Sequence, residues 1–269
     1  MCSSDLAADV KARWPVPGPH DDKYTQGVVG ILAGSSAYPG AAILCSGAAI
    51  AATSGMVRYA GSADSEVVSH WPEVVAAPSA GEAGRVQAWA VGPGLGTDEA
   101  AFNDLTYALD TDLPVIVDAD GLTMLARHPH LVSAREAPTV LTPHAGEFER
   151  FGLGAVGDDR VGAARRLADA LGATVLLKGN VTVIAGRAGQ TYLNPAGGSW
   201  AATAGSGDVL SGIIGALLAA GLPPAEAAAA AAFVHARAAN ASAADPGPAP
   251  VPTSASRILS HIRNALAAL

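Results

Sequence analysis

Gly205, Gly207 and Asp208 lie together in the stretch AATAGSGDVLSGIIGALLAAG, Ala201 to Gly221, where a glycine turn runs straight into an apolar segment. From Val209 on, apolar residues recur at 210, 213, 214, 217 and 218, the spacing of one helical face, so Asp208 falls in the first turn of a helix. The first N–H groups of a helix have no intrahelical partner, and glycine lets an anion approach them closely. The helix dipole favours negative charge at the same point. The segment therefore predicts a phosphate site beside a carboxylate, Asp208, that the dipole keeps ionised and able to accept a proton. An ordinary Asp cap after a flexible loop would use the same residues.

Other groups suited to a ligand occur along the chain. Gly34-Ser35-Ser36 and Pro39-Gly40-Ala41-Ala42 form a turn small enough for a ligand to lie on the backbone, or simply a tight turn into a helix. Gly92-Pro93-Gly94-Leu95-Gly96 resembles a dinucleotide fingerprint, but its spacing is not G-x-G-x-x-G and a proline interrupts it. Asp118 and Asp120 could organise Mg2+ or its waters; Asp120-Gly121 before a helix equally suits a cap, and the cap takes precedence. His144 and Glu147 have metal-compatible spacing without a partner pair of His or Cys, which argues against zinc and for a polar contact to substrate. Lys178-Gly179-Asn180-Val181-Thr182 would set an ammonium and loop amides on phosphates, or form a plain β-turn with an exposed lysine. No Walker A loop occurs.

These groups need elements to hold them, and apolar strand-like runs alternate with helical ones, which predicts an α/β fold. Strands are expected at Val28 to Ala33, Gln87 to Val91, Leu113 to Val117, Thr139 to Leu141, Thr174 to Leu177 and Thr182 to Ala185. Several are apolar throughout, as strands covered on both faces should be. Helices are expected at 41–53, 98–109, 121–127, 146–151, 158–171, 208–220 and 224–241, with a last amphipathic one carrying Ile258, Leu259, Ile262 and Leu266. Between these last two, DPGPAPVP is too proline-rich for helix. In such sheets the carboxyl ends of the strands form the binding crevice, and most of the candidate groups fall there.

With 269 residues, half of them hydrophobic, the chain can bury one large core. Its net charge of −8 and the lack of a dense Lys/Arg run exclude the electrostatic footprint of a nucleic-acid binder. Two cysteines, Cys2 and Cys45, make no disulfide framework and suit a reducing cytosol, hence a cytoplasmic location. The most apolar windows, near 41–57 and 208–221, are broken by Gly, Ser or Thr and fall short of the roughly 20 continuous apolar residues of a membrane span.

Taken together, GILAGSSAYPGAA, VGPGLG, VDADGLTML, LTPHAGEF, LLKGNVTVI and NPAGGSWAATAGSGDVLSGIIGALLAAG resemble, in order, the ADP- or ATP-dependent NAD(P)H-hydrate dehydratases of the ribokinase-like superfamily. GSGD alone would imply only a ribokinase-like phosphotransferase; TPHAGE with KGNVT is more specific. The resemblance covers residues 23–269 and implies a three-layer αβα fold with a mainly parallel central sheet. It implies repair of NADH and NADPH hydrated at C6 of the nicotinamide ring, the S epimer being the substrate. Ala42, Gly94, Gly96, His144 and Asp208 would face the hydrated dinucleotide. Lys178, Gly179, Asn180, Val181 and Thr182, with Gly205 and Gly207, would hold the adenine nucleotide, ADP or ATP, used with Mg2+.

On that resemblance Asp208 deprotonates the C6 hydroxyl, the Gly205 to Gly207 amides stabilise the transferring phosphoryl group, and phosphate then leaves. It further implies a homo-oligomer, a homotetramer in the family. Residues 1–22 look like the linker that follows an epimerase domain in two-domain members, which predicts a longer parent protein. Two departures stand out: Ser206 occupies a position where many members have Thr, and Asp22 to Gly27 replaces the usual basic entry. Two rival readings share the turn and Asp208: a kinase for a vitamin-like alcohol, and a nucleotide sensor without catalysis.

Overall fold

Residues 28–32, VVGIL, send successive side chains to opposite sides of a strand, and both sides are apolar. Val29 and Ile31 enter one core, Val28 and Leu32 the other. The same alternation recurs in neighbouring strands, so the sheet is covered on both faces. The computed structural model describes residues 3–53 and 55–269. Its strands are β1 (Val28–Leu32), β2 (Met56–Ala60), β3 (Val75–Ala77), β4 (Ala88–Val91), β5 (Val115–Val117), β6 (Thr139–Leu141), β7 (Thr174–Leu177), β8 (Val181–Ala185) and β9 (Thr191–Pro195). Its helices are α1 (Ser3–Arg13), α2 (Pro39–Ala52), α3 (Asp64–His70), α4 (Glu99–Leu109), α5 (Asp120–Leu125), α6 (His130–Ser133), α7 (Ala145–Glu149), α8 (Arg160–Leu171), α9 (Ser206–Ala219), α10 (Pro224–Ala244), α11 (Ala255–Ser260) and α12 (Ile262–Ala267).

The strands form one sheet in the order 3-2-1-4-5-6-7-8-9. Pairing is parallel from β3 to β7 and antiparallel at β7–β8 and β8–β9. Residues of α2, α9 and α10 to α12, such as Cys45, Ile213, Ala228 and Ile258, cover one face. Leu105 of α4, Leu125 of α5 and Leu167 of α8 cover the other, completing three layers. Because the parallel strands point one way, the loops after β1, β4, β5, β6 and β7 gather along one edge. Helix α9 is drawn against α2 at Gly212, where a Cβ would stand 2.1 Å from the Cys45 carbonyl oxygen, so no larger residue fits. That contact fixes the start of α9 over the strand ends.

All six expected strands are present, three of them slightly shorter and one longer by a residue, but β2, β3 and β9 went unread in the sequence. Helices α1, α3 and α6 also went unread, and the last amphipathic helix divides at His261 into α11 and α12. Residues 3–13, expected only as linker, form a helix. Val10 and the following Trp14 are buried, the Trp14 indole N–H donates to the Ala52 carbonyl at 2.9 Å, and Arg13 pairs with Glu226 of α10. No helix among the described residues is long and apolar enough to cross a membrane.

Candidate functional site

Asp118, directly after β5, is 1 % exposed and is the hub of the loop cluster. Its Oδ1 accepts from the Lys178 ammonium at 2.7 Å and its Oδ2 from the Ser211 hydroxyl of α9 at 2.8 Å. Lys178 also lies 3.6 Å from Glu147. Burial opposes the ammonium, yet Asp118 and Glu147 outweigh it and raise the Lys178 pKa. The turn is shaped for this: Ala119 has φ +50°, and Gly92 has φ +120° with a Cβ position 2.0 Å from the Asp118 carbonyl oxygen. Only glycine tolerates that approach. The cap reading of Asp120-Gly121 is thereby corrected. Neither caps α5; Asp118 is bound by Lys178 and Ser211, and Asp120 accepts from the Gly96 amide at 2.9 Å.

Gly205, with φ +82°, stands just before α9, and Asp208 lies in the first turn as expected. The Ser206 amide is used on the Thr203 carbonyl, whereas those of Gly207 and Asp208 donate to no backbone carbonyl among the described residues. They are free for an anion. The expectation that Asp208 stays ionised needs correction, because burial first and the charge of Asp118 second push its pKa up to about 7, against the pull of Lys178. Magnitude decides this: a helix terminus contributes about 0.3–2 kcal/mol, while a rise from 3.8 to about 7 corresponds to roughly 4 kcal/mol at about 1.4 kcal/mol per unit.

That shift predicts a stability effect. Between pH 4 and 7 the folded chain keeps a proton on Asp208 that the unfolded chain has released, so this group's contribution to stability falls as pH rises through that window. Relative to Asp208→Asn, which cannot titrate, the wild type should lose about 2 kcal/mol between pH 5.5 and 8 in urea unfolding without nucleotide. Parallel pH profiles for the two proteins would mean that the raised pKa is wrong.

Beside this network a cavity of ≈ 320 Å³ is lined by Lys178, Gly179, Asn180, Thr182, Gly207 and His144, with Ser206 and His235 on its inner wall. Five of the seven residues expected to hold a nucleotide thus converge. Val181 adjoins them on β8 and Gly205 precedes α9, but neither lines the cavity. Gly94 and Gly96, with φ of +60° and +88°, lie in the β4–α4 loop, and a Cβ at Gly96 would meet open space. Ala42, expected to face the dinucleotide, is fully buried and packed beneath Gly34.

His144 has a structural task besides lining the cavity. Its Nδ1 accepts from the Glu147 amide at 3.2 Å while Glu147 accepts from the His144 amide at 2.8 Å, a capping box that starts α7. The His144–Glu147 spacing is that of this box. Sequence reasoning missed Ser211 and His235 and undervalued Glu147; only Ser211, one turn beyond Asp208 on the same helix face, carried a signal. Among the described residues no three His, Cys, Asp or Glu side chains converge on a common point where they could hold a metal.

A nine-stranded, mainly parallel sheet between two helical layers gives this chain a ribokinase-like fold, with the glycine turn and Asp208 at the carboxyl edge of the sheet. The family model described as NAD(P)H-hydrate dehydratase matches residues 29–261, and the chain belongs to that family. It is 78 % identical over 263 residues to the bifunctional NAD(P)H-hydrate repair enzyme Nnr of Mycobacterium tuberculosis, a match covering 98 % of this chain and 56 % of the relative. The chain therefore spans about half the length of that relative. It is 40 % identical to the ADP-dependent (S)-NAD(P)H-hydrate dehydratase of Neisseria meningitidis, over 77 % of this chain and 74 % of the other. Among solved structures it resembles the ADP/ATP-dependent NAD(P)H-hydrate dehydratase of Bacillus subtilis co-crystallised with ATP/Mg2+, at TM-score 0.81 and 29 % identity over 97 % of both chains.

Proposed function

We propose that this chain uses ADP or ATP to dehydrate the S epimer of C6-hydrated NADH and NADPH, restoring the reduced dinucleotide. The observation that carries the reading is the meeting of a partly buried carboxylate, Asp208, poised near neutral pH, with two unpaired helix-terminal amides and the nearby Lys178 ammonium. A base with a pKa near the working pH combines a large ionised fraction with useful basicity. Asp208 takes the proton from the C6 hydroxyl, whose oxygen forms a bond to the terminal phosphorus of the nucleotide as the bridging P–O bond breaks. The amides of Gly207 and Asp208 receive the charge that builds on the phosphoryl oxygens. The C6–O bond then breaks with phosphate leaving, and a proton lost from C5 restores the ring double bond. Hydroxide is a poor leaving group and phosphate a good one, which accounts for kinase-like machinery in a lyase.

Gly94 and Gly96 present backbone to the dinucleotide and His144 its exposed ring, while Ala42 shapes the turn behind them. Lys178, Gly179, Asn180 and Thr182 surround the nucleotide, with Val181 and Gly205 holding the two loops in place. Mg2+ is expected to be held mainly by nucleotide phosphates, with Asp120, whose Oδ1 has no protein partner among the described residues, as the available carboxylate. Bound there, it would neutralise phosphoryl charge. The reading extends to a homo-oligomer in the cytoplasm and to a parent protein carrying an N-terminal epimerase domain, to which residues 1–22 form the connection. The relative's description as bifunctional supports the longer parent protein.

The test is recovery of absorbance in the reduced-nicotinamide band when hydrated NADH is mixed with protein, Mg2+ and ADP or ATP. NADH and free phosphate should appear in equal amounts. Accumulation of a stable phosphorylated product would favour a kinase instead, and tight nucleotide binding without turnover a sensor.

A further inference from the structure

His235 of α10 is a buried titratable group that the chemistry above does not use. It is 7 % exposed, lies on the wall of the cavity beside Lys178, and places its Nε2 3.0 Å from the Ser206 hydroxyl. Ser206, the first residue of α9, is itself buried. The ring makes no other hydrogen bond among the described residues. Burial holds the His235 pKa down at about 4, so the imidazole is neutral at physiological pH.

We propose that His235 is a positioning residue for the nucleotide, holding the Ser206 hydroxyl so that its proton faces a phosphate oxygen. The inference rests on the reading that an adenine nucleotide occupies this cavity. A neutral imidazole offers one N–H and one lone pair; a hydroxyl offers one proton and two lone pairs. If serine donates to the ring, its proton is used up. If Nε2–H donates to the serine oxygen, the proton is free to point into the cavity. Phosphate oxygens only accept, so a bound nucleotide selects the second arrangement and completes a chain from imidazole to hydroxyl to phosphate. The hydroxyl is needed because the Ser206 amide, donating to Thr203, cannot serve the phosphate as the two following amides can.

The experiment is calorimetric titration of ADP into the wild type, His235→Leu, His235→Gln, Ser206→Ala and the double variant His235→Leu/Ser206→Ala. Leucine at 235 should weaken ADP binding roughly tenfold, the scale of one hydrogen bond to a charged group. Glutamine, whose amide nitrogen can take the place of Nε2, should stay within about threefold of wild type on the same scale. The double variant should bind no more weakly than Ser206→Ala alone, since His235 acts only through that hydroxyl. Multiplying losses in the double variant, or a glutamine variant as weak as leucine, would overturn the proposal and leave His235 as packing. Should the leucine variant not fold, a glutamine variant as weak as Ser206→Ala overturns it equally. Wild type that binds ADP with every variant unaffected defeats this inference alone, whereas wild type that fails to bind ADP defeats the nucleotide reading as well.

Discussion

Asp208→Asn should lower turnover of hydrated NADH by a factor of about 10² to 10⁴, because asparagine keeps the size and the capping ability of the carboxylate but cannot take the hydroxyl proton. Nucleotide should remain bound. On the proposed reading the phosphates rest on backbone amides, so affinity should change little at pH 7, where the wild-type carboxylate is already about half protonated at its pKa of about 7. It should improve in the variant at pH 8.5, where the lost charge would otherwise repel phosphate. The wild-type rate should climb with pH and level off above about 7, an inflection the residual activity of the variant should lack. A pure capping role predicts near-normal turnover from asparagine. That result would sink the mechanism.

The second large effect is expected from Lys178→Ala, which acts in two ways. Removing the ammonium leaves Asp118, 1 % exposed, with Ser211 as its remaining side-chain partner. An uncompensated buried charge of this kind costs about 3–5 kcal/mol, to be read by urea unfolding at pH 8. Nucleotide affinity should fall by about 1–3 kcal/mol as well, the scale of a charge-assisted hydrogen bond. The double change Lys178→Met/Asp118→Asn separates the effects: removing both charges should recover most of the stability but none of the affinity. Unaltered nucleotide binding in that double variant would confine Lys178 to an internal ion pair.

The central strands were legible in the sequence because burial on both faces writes itself as continuous apolar runs, such as VVGIL and TVLL. The two edge strands, β3 and β9, and β2 beside β3 were not. In β2 the sequence MVRYA carries Arg58, whose guanidinium reaches the Ala83 carbonyl; β3 is three residues long; β9 ends in Pro195 and exposes Leu193. In β2 Arg58 interrupts the apolar run although both faces are covered, β3 is too short to show a pattern, and β9 leaves Leu193 exposed. In the site, the glycine turn and the Lys178 loop were legible because local spacing sets them. The bond between Asp118 and Lys178 joins residues 60 apart, and no local pattern distinguishes a carboxylate with such a partner from a helix cap. The ionisation of Asp208 was misjudged for the same reason: the dipole is a local effect, whereas burial and Asp118 come from the assembled fold.

The ribbon of β7, β8 and β9 is the one antiparallel part of the sheet, and this sets an order of events. Lys178 to Asn180 connect adjacent strands that pair directly as a hairpin, an event of microseconds that needs little loop closure. Asp118, by contrast, meets Lys178 only across 60 residues and Ser211 across 93, and β1 pairs with β4 only after two intervening strands have been laid beyond it. Such contacts are slow to form because chain entropy must be lost before they repay it. A refolding chain should therefore possess the Lys178 hairpin early and the Asp118–Lys178–Ser211 network around Asp208 last, so that recovery of the activity proposed above trails recovery of secondary structure.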